Sequence, residues 1–361
     1  MDLRPSRSRR YRARKLERKD RQPPLSVVVV NFNSGDYLTS CIGSLLHSTQ
    51  EKLAITVVDN ASNDDSLKDV ENRFPQVRII RNQSNLGYSS AANLGFSRAK
   101  SKFVALINPD TFVDSRSLEG LVRAAERHPE GAFFQPKILL IENPHVLNSA
   151  GNMIHVAGFG VCRGIGMHDN EQFNVETEVN YASGACLLAR MQAIREIGPL
   201  DETFLAYGED KDWGWRALMK GWCSIYVPSS TVLHKWSPTL GASAEKFYLL
   251  EFERNFSVLK NYSKRTLALI SLLLLMTEVS VLLYACVKGW LREKIHTYTD
   301  LVALRHTIAV KRAQIQRDRL VPDGILLGRF VLELNHPYIG SAGSVFNRIV
   351  SLLLKGVQAS I

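Results

Sequence analysis

The sequence lacks the features that mark secreted and disulfide-stabilised proteins. Its five cysteines are widely spaced, with no C-x-x-C pair and no histidine cluster at zinc-ligand spacing, which predicts reduced, mostly buried thiols. No apolar segment follows the basic N-terminus before residue 25, so the sequence does not predict a secretory signal peptide. We therefore expect the functional part of the chain to stay in the cytosol.

Positive charge is concentrated at one end of the chain. Residues 1–21 hold ten Lys or Arg and three acidic residues, so they carry +7 of the formal net charge of +10. Because the remaining sequence is nearly balanced, it does not predict a surface for nucleic acid. Residues 1–24 are predicted to form a disordered basic arm, and contact of this arm with anionic lipid is the alternative.

Strand-like and helix-like segments alternate after the prolines at 23 and 24. The β-branched run at residues 25–30 is typical of a strand buried on both faces. Helical spacing of apolar residues follows, and the same unit recurs up to residue 107. This alternation predicts an α/β fold with a doubly wound, mostly parallel sheet, which we assign to residues 25–245. Residues 142–180, rich in Gly, Asn and His, are predicted to form a long loop or hairpin region beside a cleft.

Acidic residues stand where predicted strands run out into loops. Asp59 and Asp110 each follow an apolar, strand-like run, and Glu209 and Asp210 open a later cluster, E-D-K-D. Ligands of α/β proteins bind at the carboxyl ends of strands, so three acidic clusters in this order suggest a nucleotide-sugar site. Asp110 is a hard oxygen ligand for Mg²⁺ or Mn²⁺, and a carboxyl group beside apolar side chains can act as a general base. Turns and a helix N-terminus are the structural alternatives.

Polar residues beside these clusters are further candidates. Asn31 and Asn33, at the mouth of the first predicted strand, offer amide groups to a base or ribose. Asn85 and Gly87 precede a predicted helix, whose backbone N–H groups can face a diphosphate. His234 follows a strand-like segment and is a candidate metal or phosphate ligand. Each of these patterns also has a structural interpretation, as a turn residue or a buried core histidine.

Residues 266–287 form a long apolar segment with basic residues on both sides. A helix of this length reaches roughly 33 Å, enough for a hydrocarbon core of about 30 Å. Glu278 opposes spanning, because a carboxylate near the bilayer centre is unfavourable unless it is paired. Three interpretations stay open: a spanning helix, a helix buried in protein, and a hairpin in the membrane interface. We assign residues 246–361 to a helical, membrane-associated region, in which the basic stretch 309–319 is expected to lie against a membrane or another subunit.

The ordered motifs of residues 25–240 together resemble family 2 inverting glycosyltransferases of the GT-A fold, in particular the bacterial rhamnosyltransferase-like branch. The matching segments are V-V-V-V-N-F-N-S at 27–34, V-V-D-N-A-S at 57–62, N-L-G-Y at 85–88, A-N-L-G at 92–95, L-I-N-P-D at 106–110, G-A at 184–185, G-E-D-K-D at 208–212, and His234. Each segment is short, but their joint order and spacing are specific. The chain departs from the family's Asp-x-Asp motif at Asn108, which leaves Asp110 as its only carboxylate.

The resemblance implies a role for each matching residue. Asn33 and Asp59 would hold the nucleotide, Asp110 and His234 would bind Mg²⁺ or Mn²⁺, and Asp210 would be the catalytic base. Glu209 would assist that base. The remaining donor-binding candidates are Asn31, Asn85, Gly87, Asn93 and Asn108, and the acceptor-binding candidates are Gly184, Ala185, Asp212 and Trp213.

The implied reaction is a single in-line displacement with inversion. Asp210 takes the proton of an acceptor hydroxyl, which attacks the anomeric carbon while the nucleoside diphosphate leaves from the opposite face. The apolar C-terminal segment adds the expectation of a lipid-linked glycan acceptor at the cytoplasmic face of the cell membrane, with a rhamnose-like or other hexose donor. A homo-oligomer is a further expectation.

Two other function classes stay open. A nucleotidyltransferase also uses an α/β fold and acidic metal ligands, but residues 31–36 contain no Lys or Arg for a basic phosphate loop. A non-catalytic nucleotide-sugar-binding membrane protein would keep the fold and lose the chemistry, and the Asn108 departure favours this alternative.

Overall fold

The computed structural model describes residues 25–49, 52–235 and 243–333. The predicted basic arm and residues 334–361 of the predicted C-terminal region lie outside these residues. Within the described part of the chain, one ten-stranded sheet carries most of the strands, and helices alone follow residue 243.

The first part of the chain builds the parallel side of this sheet. Its elements are β1 (Leu25–Asn31), α1 (Asp36–His47), β2 (Leu53–Asp59), α2 (Ser66–Arg73), β3 (Arg78–Arg81), α3 (Tyr88–Arg98) and β4 (Phe103–Ile107). The strands lie in the order β4, β1, β2, β3 and all pair in parallel. Every residue of β1 is buried, as expected for a strand covered on both faces. The carboxyl ends of these strands therefore meet at one edge.

The second part of the chain makes the sheet mixed. Its elements are β5 (Thr111–Val113), α4 (Ser117–Arg127), β6 (Gly131–Leu140), β7 (Leu147–Ser149), β8 (Asn152–Ile154), β9 (Gly160–Cys162), β10 (Thr177–Val179), β11 (Cys186–Arg190), α5 (Met191–Ile197), α6 (Glu209–Met219) and β12 (Cys223–His234). β11 lies antiparallel between β4 and β6, and β12 runs parallel to β6. The predicted α/β fold is confirmed, with short strands in the region predicted as loop or hairpin.

Helices of the C-terminal part share a core with the sheet domain. They are α7 (Ala244–Asn261), α8 (Lys264–Leu269), α9 (Ser271–Lys288), α10 (Leu291–Ala303), α11 (Arg305–Asp318) and α12 (Asp323–Arg329). The Trp215 ring of α6 packs edge-on against Tyr262 at 4.7 Å and against Phe330 at 5.1 Å between centroids. Val331 exchanges backbone hydrogen bonds with the β8 region, at Ile154 and Val156. The C-terminal helices are thus packed onto the half of the molecule that carries α6.

The apolar segment 266–287 is not one helix. It is divided between α8 and α9, which are separated by the buried Ile270. α9 is the one helix of the described residues that is long and apolar enough to cross a membrane, with 18 residues and a mean hydropathy of 1.7. Only 17% of it is buried in the protein. The described residues therefore leave most of α9 uncovered, which favours the two membrane interpretations over a helix buried in protein.

Candidate active site

The ends of β1 and β2 hold a buried amide–carboxylate network. The Asn31 side-chain amide donates to Asp59 Oδ1 at 2.8 Å, and the Ser62 hydroxyl donates to the same oxygen at 2.6 Å. Asn31 and Asp59 are both buried, so the network fixes the carboxylate at the strand end. Asn33 lies farther out on an exposed loop, where its backbone N–H donates to Ser62 Oγ at 2.9 Å.

An asparagine pair connects this edge to the loop before α3. The Asn60 amide donates to Asn85 Oδ1 at 2.6 Å, and the Gly87 backbone N–H donates to the same oxygen at 2.9 Å. Gly87 has a φ of 81°, and a Cβ atom there would lie 3.2 Å from the Leu205 backbone, so only glycine fits without strain. The Tyr88 N–H donates to the Leu205 carbonyl at 2.8 Å. These contacts place the loop that leads into α6 against the start of α3.

Tyr88 joins three of the predicted site residues. Its hydroxyl donates to Asn108 Oδ1 at 2.9 Å and lies 3.2 Å from the Gly184 carbonyl oxygen. The Asn108 N–H donates to the Ala185 carbonyl at 3.0 Å, because the antiparallel pairing of β11 with β4 brings these two strand ends together. Asn108, Gly184 and Ala185 therefore lie side by side.

Glu209 and Asp210 open α6 directly after Gly208. The Gly184 backbone N–H donates to Asp210 Oδ2 at 2.9 Å, and the Lys211 N–H donates to Oδ1 at 2.7 Å. Glu209 Oε2 is buried and has no hydrogen-bond partner among the described residues. Burial, reinforced by the charge of Asp210, raises the pKa of Glu209 to about 8. Burial also raises the pKa of Asp210, against the opposing effect of the Gly184 N–H.

Asp110 faces His234 at the end of β12. Its Oδ1 is buried, has no hydrogen-bond partner among the described residues, and lies 3.4 Å from His234 Nε2. His234 Nδ1 lies 3.0 Å from Asn148 Oδ1. Since a side-chain amide oxygen only accepts, Nδ1 donates to Asn148, and Nε2 is the ring nitrogen that faces Asp110.

The separate acidic clusters converge on one space. Burial raises the pKa of the Tyr88 hydroxyl well above its usual value, and the charges of Glu209, Asp210 and Asp110 add to this effect. The pKa of Tyr207 is raised by burial together with Glu209 and Asp110 among others. Gly184 connects the second and third clusters, because its N–H donates to Asp210 and its carbonyl oxygen lies 3.2 Å from the Tyr88 hydroxyl, which binds Asn108. The carboxyl groups of these clusters therefore lie around one region of the molecule, which we call the cavity.

Comparisons with known proteins decide the family. A sequence model described as glycosyl transferase family 2 matches residues 26–198. The N-acetylglucosaminyl-diphospho-decaprenol L-rhamnosyltransferase of Mycobacterium tuberculosis is 30% identical over 241 residues, which cover 60% of this chain and 78% of that protein. The chain belongs to glycosyltransferase family 2. The predicted rhamnosyltransferase-like branch is confirmed, and this family assignment replaces the two alternative function classes.

Further relatives agree with this glycosyltransferase family. The glycosyltransferase GlyG of Streptococcus pneumoniae is 30% identical over 105 residues, which cover 28% of this chain and 35% of that protein. A crystal structure of GalNAc-T7 with UDP, GalNAc and Mn²⁺ superposes with a TM-score of 0.55 at 17% identity. The match covers 68% of this chain and 49% of GalNAc-T7. At this identity the likeness shows the fold alone, and it confirms GT-A.

Two residues that were predicted to bind the acceptor of the glycosyltransferase make their contacts inside the protein. Asp212 is fully buried on the side of α6 that faces α7, with its carboxylate 2.8 Å from Arg216 and 2.9 Å from Lys260. The Trp213 indole N–H donates to the Gly198 carbonyl at 2.9 Å, and its ring is buried. Neither side chain reaches the cavity, because successive residues of a helix point in different directions.

Asn93 was predicted to bind the donor of the glycosyltransferase, and in the structure its side chain forms hydrogen bonds with the loop at residues 200–202. Its amide donates to the Leu200 carbonyl and to Glu202 Oε1, both at 2.9 Å, and its Oδ1 accepts from the Leu200 N–H at 3.0 Å. These bonds occupy both ends of the amide. Asn93 therefore fixes the loop that precedes α6.

Three residues beside the cavity were not among the predicted site residues. Two of them are Tyr88, which was visible as the last residue of the N-L-G-Y segment, and Asn148. Lys235 is the third: its Nζ lies 4.2 Å from the centroid of the Tyr37 ring. A hydrogen bond with Tyr37, with a smaller effect of the Asp110 charge, raises the pKa of Lys235. Its position directly after His234 was the available signal.

A divalent cation fits between Asp110 and His234 of the glycosyltransferase. Among the described residues, no three His, Cys, Asp or Glu side chains lie close enough together to hold a metal ion. However, Asp110 Oδ1 is buried without a hydrogen-bond partner among the described residues and lies 3.4 Å from His234 Nε2, and a cation bound by both atoms would satisfy this oxygen. Carboxylate oxygen and imidazole nitrogen are both accepted by Mn²⁺, and Mg²⁺ prefers the oxygen. Such a site leaves further coordination positions for a diphosphate.

Proposed function

We propose that this glycosyltransferase moves a sugar from a nucleoside-diphosphate sugar to a hydroxyl group of a lipid-linked glycan, with inversion at the anomeric carbon. One observation carries the proposal: Gly184 contacts both the Asp210 carboxylate and the Tyr88 hydroxyl that binds Asn108, so the buried carboxyl groups that open α6 lie beside the strand end that leads to Asp110. Within the described residues, neither Glu209 nor Asp210 forms a side-chain ion pair. A carboxyl group in this state is suited to accept a proton rather than to stabilise the fold.

Asp210 is the base of the proposed mechanism. Glu209 and Asp210 are adjacent and buried, and the charge of Asp210 helps to raise the pKa of Glu209, so in this proposal the two carboxyl groups titrate as a pair that shares one proton. The Gly184 and Lys211 backbone N–H groups donate to Asp210 and stabilise its ionised form, whereas Glu209 Oε2 has no such donor. The shared proton therefore resides on Glu209, and Asp210 is free to deprotonate the acceptor hydroxyl.

The donor occupies the edge formed by β1, β2 and β4 in this proposal. Asp59 ends β2 and Asn33 lies on the loop that follows β1. Both are therefore at the edge of the sheet where the nucleotide of an α/β protein binds. Asp110 and His234 would hold Mg²⁺ or Mn²⁺, and the Lys235 ammonium lies close enough to meet a phosphate. When bound, the cation would neutralise charge on the departing nucleoside diphosphate.

The acceptor is proposed from two observations. The name of the M. tuberculosis relative specifies transfer of L-rhamnose to an N-acetylglucosaminyl-diphospho-decaprenol, which supports a rhamnose-like donor and a lipid-linked acceptor. α9 is apolar and mostly exposed, which supports contact with the membrane that contains such an acceptor. The proposed site of action is the cytoplasmic face of the cell membrane.

A donor and acceptor screen tests the proposal. The full chain is incubated with a panel of nucleoside-diphosphate sugars and a detergent-solubilised polyprenyl-diphosphate N-acetylglucosamine, and products are read by mass spectrometry. We expect the lipid to gain the mass of one sugar only when Mn²⁺ or Mg²⁺ is present. Transfer confined to water-soluble acceptors would contradict the lipid-linked acceptor, and transfer of a nucleotidyl group would contradict the reaction.

The cation site has a separate test that needs no turnover. His234→Ala should weaken Mn²⁺ binding by about tenfold or more, measured by calorimetry in the presence of a nucleoside diphosphate. His47→Ala, an exposed histidine on α1, is the matched control and should bind Mn²⁺ normally. Equal Mn²⁺ affinity of the two variants would remove His234 from the site.

A further inference from the structure

Helix α9 exposes one continuous apolar face. Its members follow each other at spacings of three or four residues, so they share one side of the helix. Each is between 50% and 85% exposed, and the members are Leu272, Leu275, Val279, Leu283 and Val287. Such a contiguous apolar surface marks an interaction site rather than ordinary surface. We call it the α9 face.

The opposite side of α9 is fixed by ion pairs to its neighbours. Glu278 Oε1 accepts a hydrogen bond from Arg254 of α7, and its Oε2 lies 2.8 Å from Lys294 Nζ of α10. The Tyr298 hydroxyl donates to Oε2 at 2.7 Å. Arg254 and Lys294 also pair with Glu251, at 2.7 and 2.5 Å. α9 is therefore bound to α7 and α10 through a nearly buried charge network.

This network is incompatible with α9 as a membrane-spanning helix. Spanning would either separate Glu278 from its partners, which is strongly unfavourable for a buried ion pair, or carry several charges into hydrocarbon. In addition, the 18 residues of α9 reach about 27 Å, which is at the short end of the helix lengths that cross a hydrocarbon core of about 30 Å. A helix that lies in the membrane plane keeps the network inside the protein and immerses only the α9 face.

The charges around α9 match an anionic surface. Residues 264–312 contain eight Lys or Arg and three Asp or Glu. Lys264 and Arg265 precede α9, Lys288 is its last residue and Arg292 follows it. All four side chains are exposed. Glu278, the one acidic residue of α9, is turned to the other side. Cations at both ends of an exposed apolar face are the arrangement of helices that lie on anionic bilayers.

Aromatic rings stand at the C-terminal end of the α9 face. Trp290 lies 5.5 Å from Phe247 and 6.0 Å from Tyr284 between ring centroids. The Lys288 ammonium lies 5.9 Å from the Tyr284 ring centroid. Trp and Tyr prefer the headgroup level of a membrane, where an apolar ring and a polar atom are both accommodated. The rings and the cations thus favour lipid over a second protein as the partner of this face.

We propose that the α9 face docks into the boundary between headgroups and acyl chains of an anionic phospholipid bilayer, with the helix axis in the membrane plane. The proposal deepens the proposed function, on which it rests for the lipid-linked acceptor. It also connects the membrane to the site, since α7 binds α6 as well as α9. Glu253 and Lys260 of α7 pair with Lys211 and Asp212 of α6, at 2.7 and 2.9 Å.

Vesicle binding of the full chain tests the proposal, without donor or acceptor in the assay. Co-sedimentation uses phosphatidylcholine vesicles with and without phosphatidylglycerol, at low salt and at high salt, which screens the basic residues 1–21. The double variant Leu275→Gln/Val279→Gln should lose about tenfold or more in vesicle affinity at both salt concentrations. Val175→Gln, an equally exposed apolar residue far from α9 in sequence, is the matched control and should bind as the natural chain does.

Three results would overturn the docking proposal. The first is equal vesicle binding by the natural chain and the double variant, with thermal unfolding confirming that both are folded. The second is resistance of the bound protein to alkaline carbonate extraction, which would indicate a spanning helix. The third is a dimer in sedimentation velocity that the double variant abolishes, with no vesicle binding. Because no sugar is present, each result is independent of whether transfer occurs.

Discussion

The two sides of helix α6 differ in how their buried carboxyl groups are neutralised. On the cavity side, burial raises the pKa of Glu209 to about 8, and neither Glu209 nor Asp210 has an ion-pair partner within the described residues. On the side facing α7, burial also acts to raise the pKa of Asp212, but the charges of Lys260 and Arg216 overcome it and lower that pKa. Burial is similar on both sides, so the partner decides the protonation state.

Glu253 is the boundary case between the two sides. It lies on α7, pairs with Lys211 at 2.7 Å, and packs so closely on Gly208 that a Cβ atom there would lie 2.2 Å from its side chain. Burial outweighs the lysine and raises the pKa of Glu253 to about 7. One cation is therefore not enough to lower the pKa of this fully buried carboxyl group, whereas the two cations beside Asp212 lower its pKa.

The largest expected effect is the loss of the proposed base on the cavity side. Asp210→Asn should lower kcat by about 10²–10⁴-fold, because general-base catalysis contributes that much, while the folded state keeps its stability. Asp69→Asn, an exposed carboxylate on α2, is the control and should retain full activity. Near-normal turnover of Asp210→Asn would assign the base to another residue.

The next effect is expected in the charge network between α7, α9 and α10, where cations also neutralise buried carboxylates, and it concerns stability rather than rate. Arg254→Met leaves Glu251 and Glu278 with one cation fewer in a buried network, so the free energy of unfolding should fall by about 3–5 kcal/mol. Arg317→Met is the control, because Arg317 is 74% exposed, and its effect should stay within about 0.5 kcal/mol. Chemical denaturation measures both. An equal response of the two variants would show that the network is dispensable.

The residues that approach the cavity from the sheet were largely predictable from the sequence, because they lie where strands end. Asp59 and Asp110 sit at strand ends, and parallel neighbours bring such ends to one edge whatever the loops do. The contact between Tyr88 and Asn108 was not predictable in the same way. It depends on the antiparallel β11, which brings Gly184 beside Asn108.

The ion pairs between distant parts of the chain were not predictable from local sequence. The cluster E-D-K-D places one lysine among three acidic residues, but it does not reveal that Asp212 turns toward Lys260, which lies on a helix that begins about thirty residues later. Glu278 illustrates the same point: taken alone it opposes a membrane-facing helix, and with Arg254 and Lys294 beside it the carboxylate is neutralised. Long-range ion pairs decide both cases, and a sequence pattern does not contain them.

The smallest expected effect is a pH dependence that separates the two sides. Glu209 has an ordinary pKa of 4.5 when unfolded and about 8 when folded, so the folded state binds more protons and loses stability as the pH rises through that interval. Glu209→Gln should therefore melt a few degrees above the natural chain near pH 8 and at the same temperature near pH 4.5. Glu126→Gln, exposed on α4, should follow the natural chain at both pH values. A Glu209→Gln shift that is independent of pH would mean that Glu209 is ionised in the folded state, and the proton assigned to it would then have to reside on Asp210.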